Sequence, residues 1–249
     1  MPVDPNAPVR ISAFNWVPPF AQGQVRDLRP RWALEEAGIA YAVRKLDARA
    51  ERPADYYQEQ PFGQVPSYRD DTVSLFESGA IVLHIGRDCE TLLPDDPAAR
   101  ARATAWLIAA LNSVEPYMMQ LATIDIFATG EEWARLRRSG VIEMIDKRLS
   151  RLSDALGDKA HLDGDRLTAG DLIMTTVTRQ SIRDLLTEAA PEYAIVAVST
   201  CEELLEIDER QFSRPNIIVV YVRNVGLTSP SIGSAGPITW SPAGVDEPW

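Results

Sequence analysis

The sequence predicts two domains, an α/β domain over roughly the first ninety residues and an all-α domain after it. Strand-like and helix-like segments alternate as far as residue 90, which is the pattern of an α/β layer. A segment rich in proline and acidic residues then interrupts the periodicity, and two long amphipathic stretches follow it. We therefore assign residues 1–90 to the α/β domain, 91–97 to a linker, 98–225 to the helical domain and 226–249 to a disordered tail.

The first half of the α/β domain reads as strand, helix, strand. Residues 10–14 and 41–46 are short alternating segments with β-prone side chains, which indicates two strands. Residues 25–37 carry apolar side chains at helical spacing, and Gly38 is placed to end that helix. We expect a β-α-β unit here.

The second half of the domain reads as strand, strand, helix. A polar stretch, residues 47–60, precedes Pro66, which opens a strand. Asp70-Asp71 predicts a hairpin turn before a second strand at 73–76. A helix then runs from Glu77-Ser78 to about residue 87. Its predicted core positions are Ile81, Leu83 and Ile85.

Two long amphipathic stretches predict the helical domain. They cover residues 97–121 and 131–156, and Gly157 is placed to end the second. Each stretch has one apolar stripe, which we interpret as core packing between antiparallel helices. The first stripe is Trp106, Leu107, Ala110, Leu111, Val114, Met118 and Leu121, and the second is Trp133, Leu136, Val141, Ile142, Ile145, Leu149, Leu152 and Leu156. Thr168-Ala169-Gly170-Asp171 resembles a capping box and predicts a further helix to about residue 179.

The helical pattern degrades after about residue 183. Residues 193–198 and 216–222 are β-branched and strand-like, whereas 202–210 suit a short acidic helix. Residues 226–249 are rich in Pro, Gly and Ser and have no periodicity, which is typical of a disordered tail. We expect either remodelled last helices or a changed reading frame in this region.

Composition and charge exclude several classes of function. The chain has 25 Lys and Arg against 36 Asp and Glu, for a net charge of −11, which argues against a nucleic-acid-binding surface. It has no apolar run long enough to span a membrane, and its first ten residues lack the apolar stretch of a secretory signal. We therefore expect a cytoplasmic protein with neither a membrane nor a nucleic-acid partner.

Cysteine and histidine are too few and too far apart for a metal cluster, a disulfide scaffold or a conventional catalytic triad. Cys89 and Cys201 share no metal-ligand spacing, and His84 and His161 each stand alone. We expect no metal. Cys89 is interpreted as a buried inert thiol and His84 as a structural histidine with satisfied hydrogen bonds.

The most informative cluster joins two short motifs, Gly63-Gln64-Val65-Pro66 and Glu77-Ser78. A cis bond before Pro66 would turn the main chain of Val65 outward, where its N–H and C=O can pair with an extended peptide. A helix that begins at Glu77-Ser78 offers free N–H groups to a carboxylate, and the Glu77 side chain can accept from an ammonium group. The alternative is an ordinary turn followed by an ordinary helix cap.

These residues resemble the glutathione transferase superfamily. Residues 60–66 and 75–81 are similar to the glutathione-binding half of its thioredoxin-like domain, and the resemblance extends over about residues 10 to 180. It implies that glutathione is a cosubstrate, that Val65 binds its cysteinyl main chain and that Pro66 is cis. It also implies that Glu77 and Ser78 hold the γ-glutamyl end, that Gln64 contacts the same ligand and that the protein is a homodimer.

The resemblance points to two further sets of residues. Basic residues before the motif often meet the glycine carboxylate, and the candidates are Lys45, Arg49 and Arg52, although each is also a plausible solvated surface charge. Tyr117, Met118 and Met119 lie on the first helix of the second domain, where the family places its hydrophobic substrate pocket. Core packing is the alternative for these three.

The catalytic position departs from the family pattern. Members use Tyr, Ser or Cys just after the first strand, but residues 13–24 contain none of these, and a proline stands where cysteine-type members have their cysteine. Ser12 lies too early, inside the predicted strand. Asn15 is our first candidate for the donor that stabilises the thiolate, and Trp16 is the second. A loop-stabilising role for Asn15 and a packed position under the loop for Trp16 are the alternatives.

Three functions are compatible with these observations. The first is transfer of the glutathione thiolate to a small hydrophobic electrophile, as in detoxification. The second is a regulatory or non-catalytic glutathione-binding protein, which the missing Tyr and Cys favour. The third is glutathione-dependent isomerisation or ether cleavage.

Overall fold

The computed structural model describes residues 3–18, 21, 23–188, 194–197 and 217–220. The N-terminal half contains a mixed sheet of four strands in the order β2-β1-β3-β4. These strands are β1 (Val9–Phe14), β2 (Tyr41–Leu46), β3 (Ser67–Arg69) and β4 (Ser74–Phe76). β1 pairs parallel with β2 and antiparallel with β3, and β3 pairs antiparallel with β4. The predicted β-α-β and β-β-α units are thus confirmed.

Three helices accompany this sheet: α1 (Leu28–Glu36), α2 (Tyr56–Glu59) and α3 (Ser78–Gly86). α1 begins three residues later than predicted because residues 25–29 form tighter turns, in which Leu28 N–H bonds to Val25 C=O. α2 was missed because a four-residue helix is too short to show periodicity. Gly38, with φ of 66°, ends α1 as predicted.

The first helical stretch of the helical domain is longer than predicted and extends to Phe127. α4 (Pro97–Ala109) and α5 (Glu115–Ala122) are joined by a π-helical segment, Ala110–Val114, and a second one, Thr123–Phe127, follows α5. Pro116 lacks the N–H that would bond the carbonyl four residues earlier, and a widened turn accommodates this loss.

Two further helices complete the described part of the domain. α6 (Glu132–Leu156) has the predicted extent, and Gly157 ends it. α7 (Ala169–Glu188) runs about nine residues past its predicted end. The carboxylate of Asp171 accepts from Thr168 N–H and Oγ1 at 2.9 and 2.7 Å, which confirms the predicted cap at its start. None of the described helices combines the length and apolar character needed to cross a bilayer.

One hydrophobic core runs through both halves of the molecule. It includes Ile11 and Ile81 from the α/β half and Leu107 and Leu172 from the helical half. Leu92 and Leu93 of the predicted linker are also buried in it. The segment between the two halves therefore contributes to the packing rather than lying free in solvent.

Two of the predicted core positions are wrong. Trp133 and Leu136 are 52% and 64% exposed. Ala134 precedes the buried Val141 by two helical turns, so Ala134 shares its face of α6 and is the residue that is buried there. In α3 the buried residue beside Ile81 and Ile85 is Val82. The predicted core residue Leu83 is half-buried and packs against the core.

The strand-like character after residue 183 is confirmed by β5 (Ala194–Ala197) and β6 (Ile217–Val220), which pair in parallel. The predicted acidic helix at 202–210, Cys201 and the predicted tail at 226–249 lie outside the described residues.

His84 and Cys89 take structural positions. His84 Nε2 lies 3.1 Å from Asp70 Oδ2, and its ring packs edge-on against Tyr68, so the prediction of a satisfied histidine is confirmed. Cys89 is a free thiol that is half-buried against the core, less enclosed than predicted.

Candidate functional site

The loop between α2 and β3 carries the first candidate motif. The Val65–Pro66 peptide bond is cis, as the resemblance implied. Val65 is only 6% exposed, yet neither its N–H nor its C=O has a hydrogen-bond partner within the described part of the chain. Since buried main-chain polar groups are almost always paired, these two groups are available to an extended ligand.

Buried side chains hold the loop on both sides of Val65. Gln60 Oε1 accepts from the N–H groups of Phe62 and Gln64 at 2.7 and 3.2 Å. Tyr56 donates to the Gln64 carbonyl at 2.5 Å. Burial raises the pKa of the Tyr56 hydroxyl, so it remains a donor at neutral pH. The Gln64 side chain itself is exposed to solvent.

Ser12 is engaged inside the molecule. Its Oγ lies 2.7 Å from the Tyr56 hydroxyl and accepts from Ser67 N–H at 2.6 Å. Since Ser12 is almost fully buried and both of its hydrogen-bonding roles are used, it has no free proton to offer a bound thiol. Its exclusion as the activating residue is consistent with this geometry.

The second motif lies at the start of α3. The Ser78 hydroxyl accepts from Arg29 Nη1 at 3.1 Å, which leaves its own proton free to donate to a ligand. Glu77 precedes it with φ of 68°, a conformation that non-glycine residues rarely adopt and that is common at binding sites. The Glu77 side chain is exposed, and the first N–H groups of α3 have no partners within the helix.

The two motifs meet at one end of a hairpin. In the β3–β4 register Ser67 lies opposite Phe76, so each motif is one residue away from the same cross-strand pair. The structure thereby brings Gln64, Val65 and Pro66 close to Glu77 and Ser78.

A buried charge cluster lies behind Ser78. Glu115 of α5 accepts from Arg29 at 3.0 Å and from Arg26 at 2.9 Å, and Arg29 Nε donates to Thr176 at 3.1 Å. Burial lowers the pKa of Arg29. Burial also raises the pKa of Glu115, but the two guanidinium groups outweigh this and hold it below its usual range. Glu77 also interacts electrostatically with Arg29, so two guanidinium groups and two carboxylates meet at the start of α3.

The region after β1 offers two donors. Asn15 is exposed, and its side-chain amide has no hydrogen-bond partner among the described residues, while its N–H donates to Leu46 C=O at 2.8 Å. Trp16 is 41% exposed, and the Arg49 guanidinium stacks over its ring at 4.0 Å from the centroid. The exposure of Trp16 contradicts the alternative in which it packs beneath the loop.

The other basic candidates differ in how they are engaged. Arg52 donates to Gly63 C=O at 3.0 Å and to the carbonyls of Asp47 and Ala50, so it stabilises the loop. Lys45 is exposed and has no ion-pair partner within the described chain. Arg49 makes the stacking contact with Trp16.

An apolar cavity of about 560 Å³ lies between α5 and α6. Of the three residues predicted for a substrate pocket, only Met119 lines it. Met118 is buried in the core, and Tyr117 lies under Arg148. The other lining residues are Pro116, Gln120, Thr123, Ile124, Trp133 and Arg137.

Sequence reasoning missed the residues that support the site from beneath. Arg29 had one available signal, because it is a cation one turn before Trp32 and Ala33 on the buried face of α1. Tyr56 and Glu115 had none, since Ser12 and Arg29, to which they bond, lie far away from them in the sequence. In the part of the chain that the structure describes, no group of three or more His, Cys, Asp or Glu is placed to hold a metal ion.

Comparison with known proteins agrees with this geometry. A family model for the glutathione S-transferase N-terminal domain matches residues 20–87. Glutathione S-transferase 4 of Zea mays is 28% identical over 175 residues, which cover 67% of this chain and 75% of the relative. Glutathione S-transferase GstA of Escherichia coli O157:H7 is 28% identical over 153 residues, covering 59% and 73%.

Solved structures share the fold. A glutathione transferase family member from Pseudomonas fluorescens pf-5, crystallised with two glutathione bound, matches with a TM-score of 0.64 at 20% identity. The match covers 74% of this chain and 81% of that protein. A theta class glutathione S-transferase from Xanthomonas axonopodis pv. citri, with glutathione bound, matches with a TM-score of 0.59 at 21% identity and covers 78% and 99%.

The fold is thus a thioredoxin-like α/β domain followed by a helical region, as predicted. The chain thus contains a glutathione S-transferase N-terminal domain over residues 20–87, and it is similar to glutathione S-transferases over about two thirds of its length.

Proposed function

We propose that the protein is a glutathione transferase that transfers the thiolate of glutathione to a small hydrophobic electrophile. The observation that carries the proposal is the unpaired main chain of the buried Val65, beside the start of α3. Val65 N–H and C=O would pair with the cysteinyl main chain. The γ-glutamyl carboxylate would accept from Ser78, and Glu77 and Gln64 would receive its ammonium and amide groups.

The thiol must ionise for the reaction to proceed. A free thiol has a pKa of about 8.5, and a donor close to the sulfur must lower it for the thiolate to form near neutral pH. We propose the Asn15 amide as that donor and the Trp16 indole N–H as the second candidate. The thiolate then forms a bond to the electrophilic carbon, and the leaving group departs with its electron pair.

The acceptor pocket that we propose is the cavity beside Met119. Glu115 contacts Arg26 and Arg29 behind Ser78, and Met119 lies one helical turn further along the same helix. The apolar lining of the cavity suits a hydrophobic acceptor.

We also propose a homodimer and a cytoplasmic detoxification role, both implied by the resemblance. Phe62 and Phe76 support the dimer, because they form an exposed edge-to-face pair that a partner subunit could cover. Analytical ultracentrifugation of the full chain would test it, and a monomer at micromolar concentration would contradict it.

Binding is tested by titrating glutathione into the wild-type protein, Ser78→Ala and Ser139→Ala in a calorimeter. Ser78→Ala should weaken affinity about tenfold, because a hydrogen bond to a charged group is lost. Ser139 is exposed on α6 and provides the matched control, for which affinity should be unchanged. A wild-type protein that does not bind glutathione would refute the proposed function.

A glutathione-binding protein without turnover is the second candidate. It is favoured because residues 13–24 contain no Ser, Thr, Tyr or Cys, and because the Ser12 hydroxyl is engaged in the interior. Conjugation of glutathione to a generic aryl halide separates the two functions. Product formation supports the transferase, whereas tight binding without product supports the binding protein.

A further inference from the structure

We infer that Ser12 and Tyr56 are positioning residues, which aim the Val65 main chain at its ligand through a buried chain of hydrogen bonds. The inference rests on the proposed function, because it concerns the same binding site. Neither residue touches the surface that a ligand would occupy, since both are almost fully buried.

The direction of every hydrogen bond in this chain is determined. The Gln64 carbonyl can only accept, so Tyr56 uses its proton in the 2.5 Å bond to it. The Tyr56 oxygen must then accept from the Ser12 hydroxyl at 2.7 Å. The Ser12 oxygen in turn accepts from Ser67 N–H at 2.6 Å. This series of hydrogen bonds therefore begins at the Gln64 carbonyl and ends at Ser67 N–H, on the two sides of the Val65–Pro66 bond.

Peptide planarity transmits this arrangement to the binding groups. The Gln64 carbonyl and Val65 N–H belong to one trans peptide unit, in which they point in opposite directions. By holding the Gln64 oxygen inward, Tyr56 makes Val65 N–H point outward. Ser12 similarly holds Ser67 N–H inward and thereby orients the Pro66 carbonyl. The Val65 carbonyl lies between these two anchored units.

Val65 depends on its neighbours for this orientation. It makes no hydrogen bond of its own within the described chain, so the hydrogen bonds that orient its N–H are those of the neighbouring residues. Gln60 Oε1 adds a second restraint through Gln64 N–H. Burial excludes water that could replace the Tyr56 hydroxyl, which makes the effect of its removal large.

Tyr56→Phe tests the inference because it removes one oxygen and keeps the ring in the core. The dissociation constant for glutathione, measured by calorimetry on the full chain, should rise about tenfold. Tyr41→Phe is the matched control, since Tyr41 is equally buried but its hydroxyl bonds to Glu35 and Arg31 at the edge of α1. That variant should lose thermal stability to a similar degree and keep its glutathione affinity.

A ligand analogue separates positioning from a general loss of structure. An (E)-alkene in place of the cysteinyl–glycine amide removes the carbonyl that would accept from Val65 N–H. Wild-type protein should bind this analogue about tenfold more weakly than glutathione, whereas Tyr56→Phe should discriminate between the two ligands by less than about threefold. A purely structural role would weaken both ligands equally and leave the ratio unchanged.

Ser12→Ala provides a second variant that acts through the same chain. The double variant Ser12→Ala/Tyr56→Phe should bind glutathione no more weakly than the worse single variant. If wild-type protein binds glutathione while Tyr56→Phe binds it equally well, or keeps the wild-type ratio, the positioning role is refuted and the proposed function stands. If wild-type protein does not bind glutathione, the proposed function itself has failed.

Discussion

Ser12 and Ser78 are both buried close to the candidate site, and hydrogen bonding separates their roles. Ser12 donates to Tyr56 and accepts from Ser67, so its hydroxyl is fully used inside the protein. Ser78 only accepts, from Arg29, and keeps a proton for a ligand. The residue type alone does not distinguish them; the partners do.

Replacement of Asn15 tests the proposed thiolate donor. Asn15→Ala should raise the pKa of the bound glutathione thiol by about one unit, because the thiolate loses a hydrogen bond. The pKa is read from ultraviolet absorbance of the thiolate in the complex as pH varies. Trp16→Phe, measured in parallel, tests the second candidate. A titration curve unchanged by Asn15→Ala would remove this residue as the donor.

Asp70 should contribute to stability in a pH-dependent way. Partial burial raises the pKa of its carboxyl, but hydrogen bonds from Thr72, Val73 and Tyr68 outweigh burial and hold the pKa well below its usual range. A carboxyl with a lower pKa in the folded state stabilises the protein above about pH 4, and this contribution is lost on further acidification.

Asp70→Asn should therefore lower the free energy of unfolding at pH 7 by about 1–3 kcal/mol. The difference from wild type should shrink as the pH falls below about 4. Urea unfolding at several pH values measures both effects. Asp71→Asn is the control, since Asp71 is exposed on the same turn. A difference that stays constant down to pH 2 would contradict the argument.

At the scale of elements, close approach of α4 and α7 depends on Gly170. A Cβ atom at this position would lie 2.6 Å from Trp106 Cβ and 3.0 Å from the Ala103 carbonyl. Neither atom is the end of a flexible side chain, so the helices would have to separate. A Cβ atom at Gly140 of α6 would meet nothing within 4 Å.

The two glycines therefore predict opposite outcomes for the same substitution. Gly170→Ala should destabilise the protein by about 1–3 kcal/mol. Gly140→Ala should stabilise it by up to about 1 kcal/mol, because alanine is the better helix former. Urea unfolding of both variants measures the free energies. Equal effects at the two positions would show that packing around Gly170 does not limit the helix contact.

Sequence patterns predicted the elements whose signal is local. The strands β1 and β2, the start of α3 and the extent of α6 each follow from alternation, a cap or a terminal glycine. The π-helical segments and α2 were missed, because no short-range pattern marks them. In the candidate site, the sequence indicated the two motifs that we propose to bind the ligand. It did not indicate Arg29, Tyr56 and Glu115, since contacts between residues far apart in sequence decide their roles.

At the scale of the whole molecule, a buried ion pair joins the two halves. Arg29 of α1 and Glu115 of α5 have side chains that are 3% and 9% exposed. Arg29 also bonds to Ser78 of α3 and Thr176 of α7. Loss of Glu115 would leave the buried Arg29 without the carboxylate that it bonds to, which is more costly than loss of the pair.

A double-mutant cycle tests this coupling. Glu115→Met should destabilise the protein by about 3–5 kcal/mol, whereas Arg29→Met/Glu115→Met should lose clearly less than the sum of the two single variants. Arg26→Ala is the control and should cost no more than about 1 kcal/mol, since Arg26 is 37% exposed and contacts the same carboxylate. Urea unfolding followed by fluorescence and circular dichroism gives the values. Additive single effects would refute the coupling.

The contacts at the start of α3 also have a consequence for recombination. A Cβ atom on Gly79 would lie 2.6 Å from Cδ1 of Leu111, which belongs to the helical half. Ser78 bonds to Arg29, which in turn bonds to Glu115 and Thr176 of the helical half. The first ninety residues are therefore not a unit that can be transferred alone to another protein. A chimera that joins them to another helical domain must also inherit compatible side chains at positions 111, 115 and 176. Domain exchange between relatives would thus be constrained by three positions in the helical half, which does not carry the candidate binding motifs.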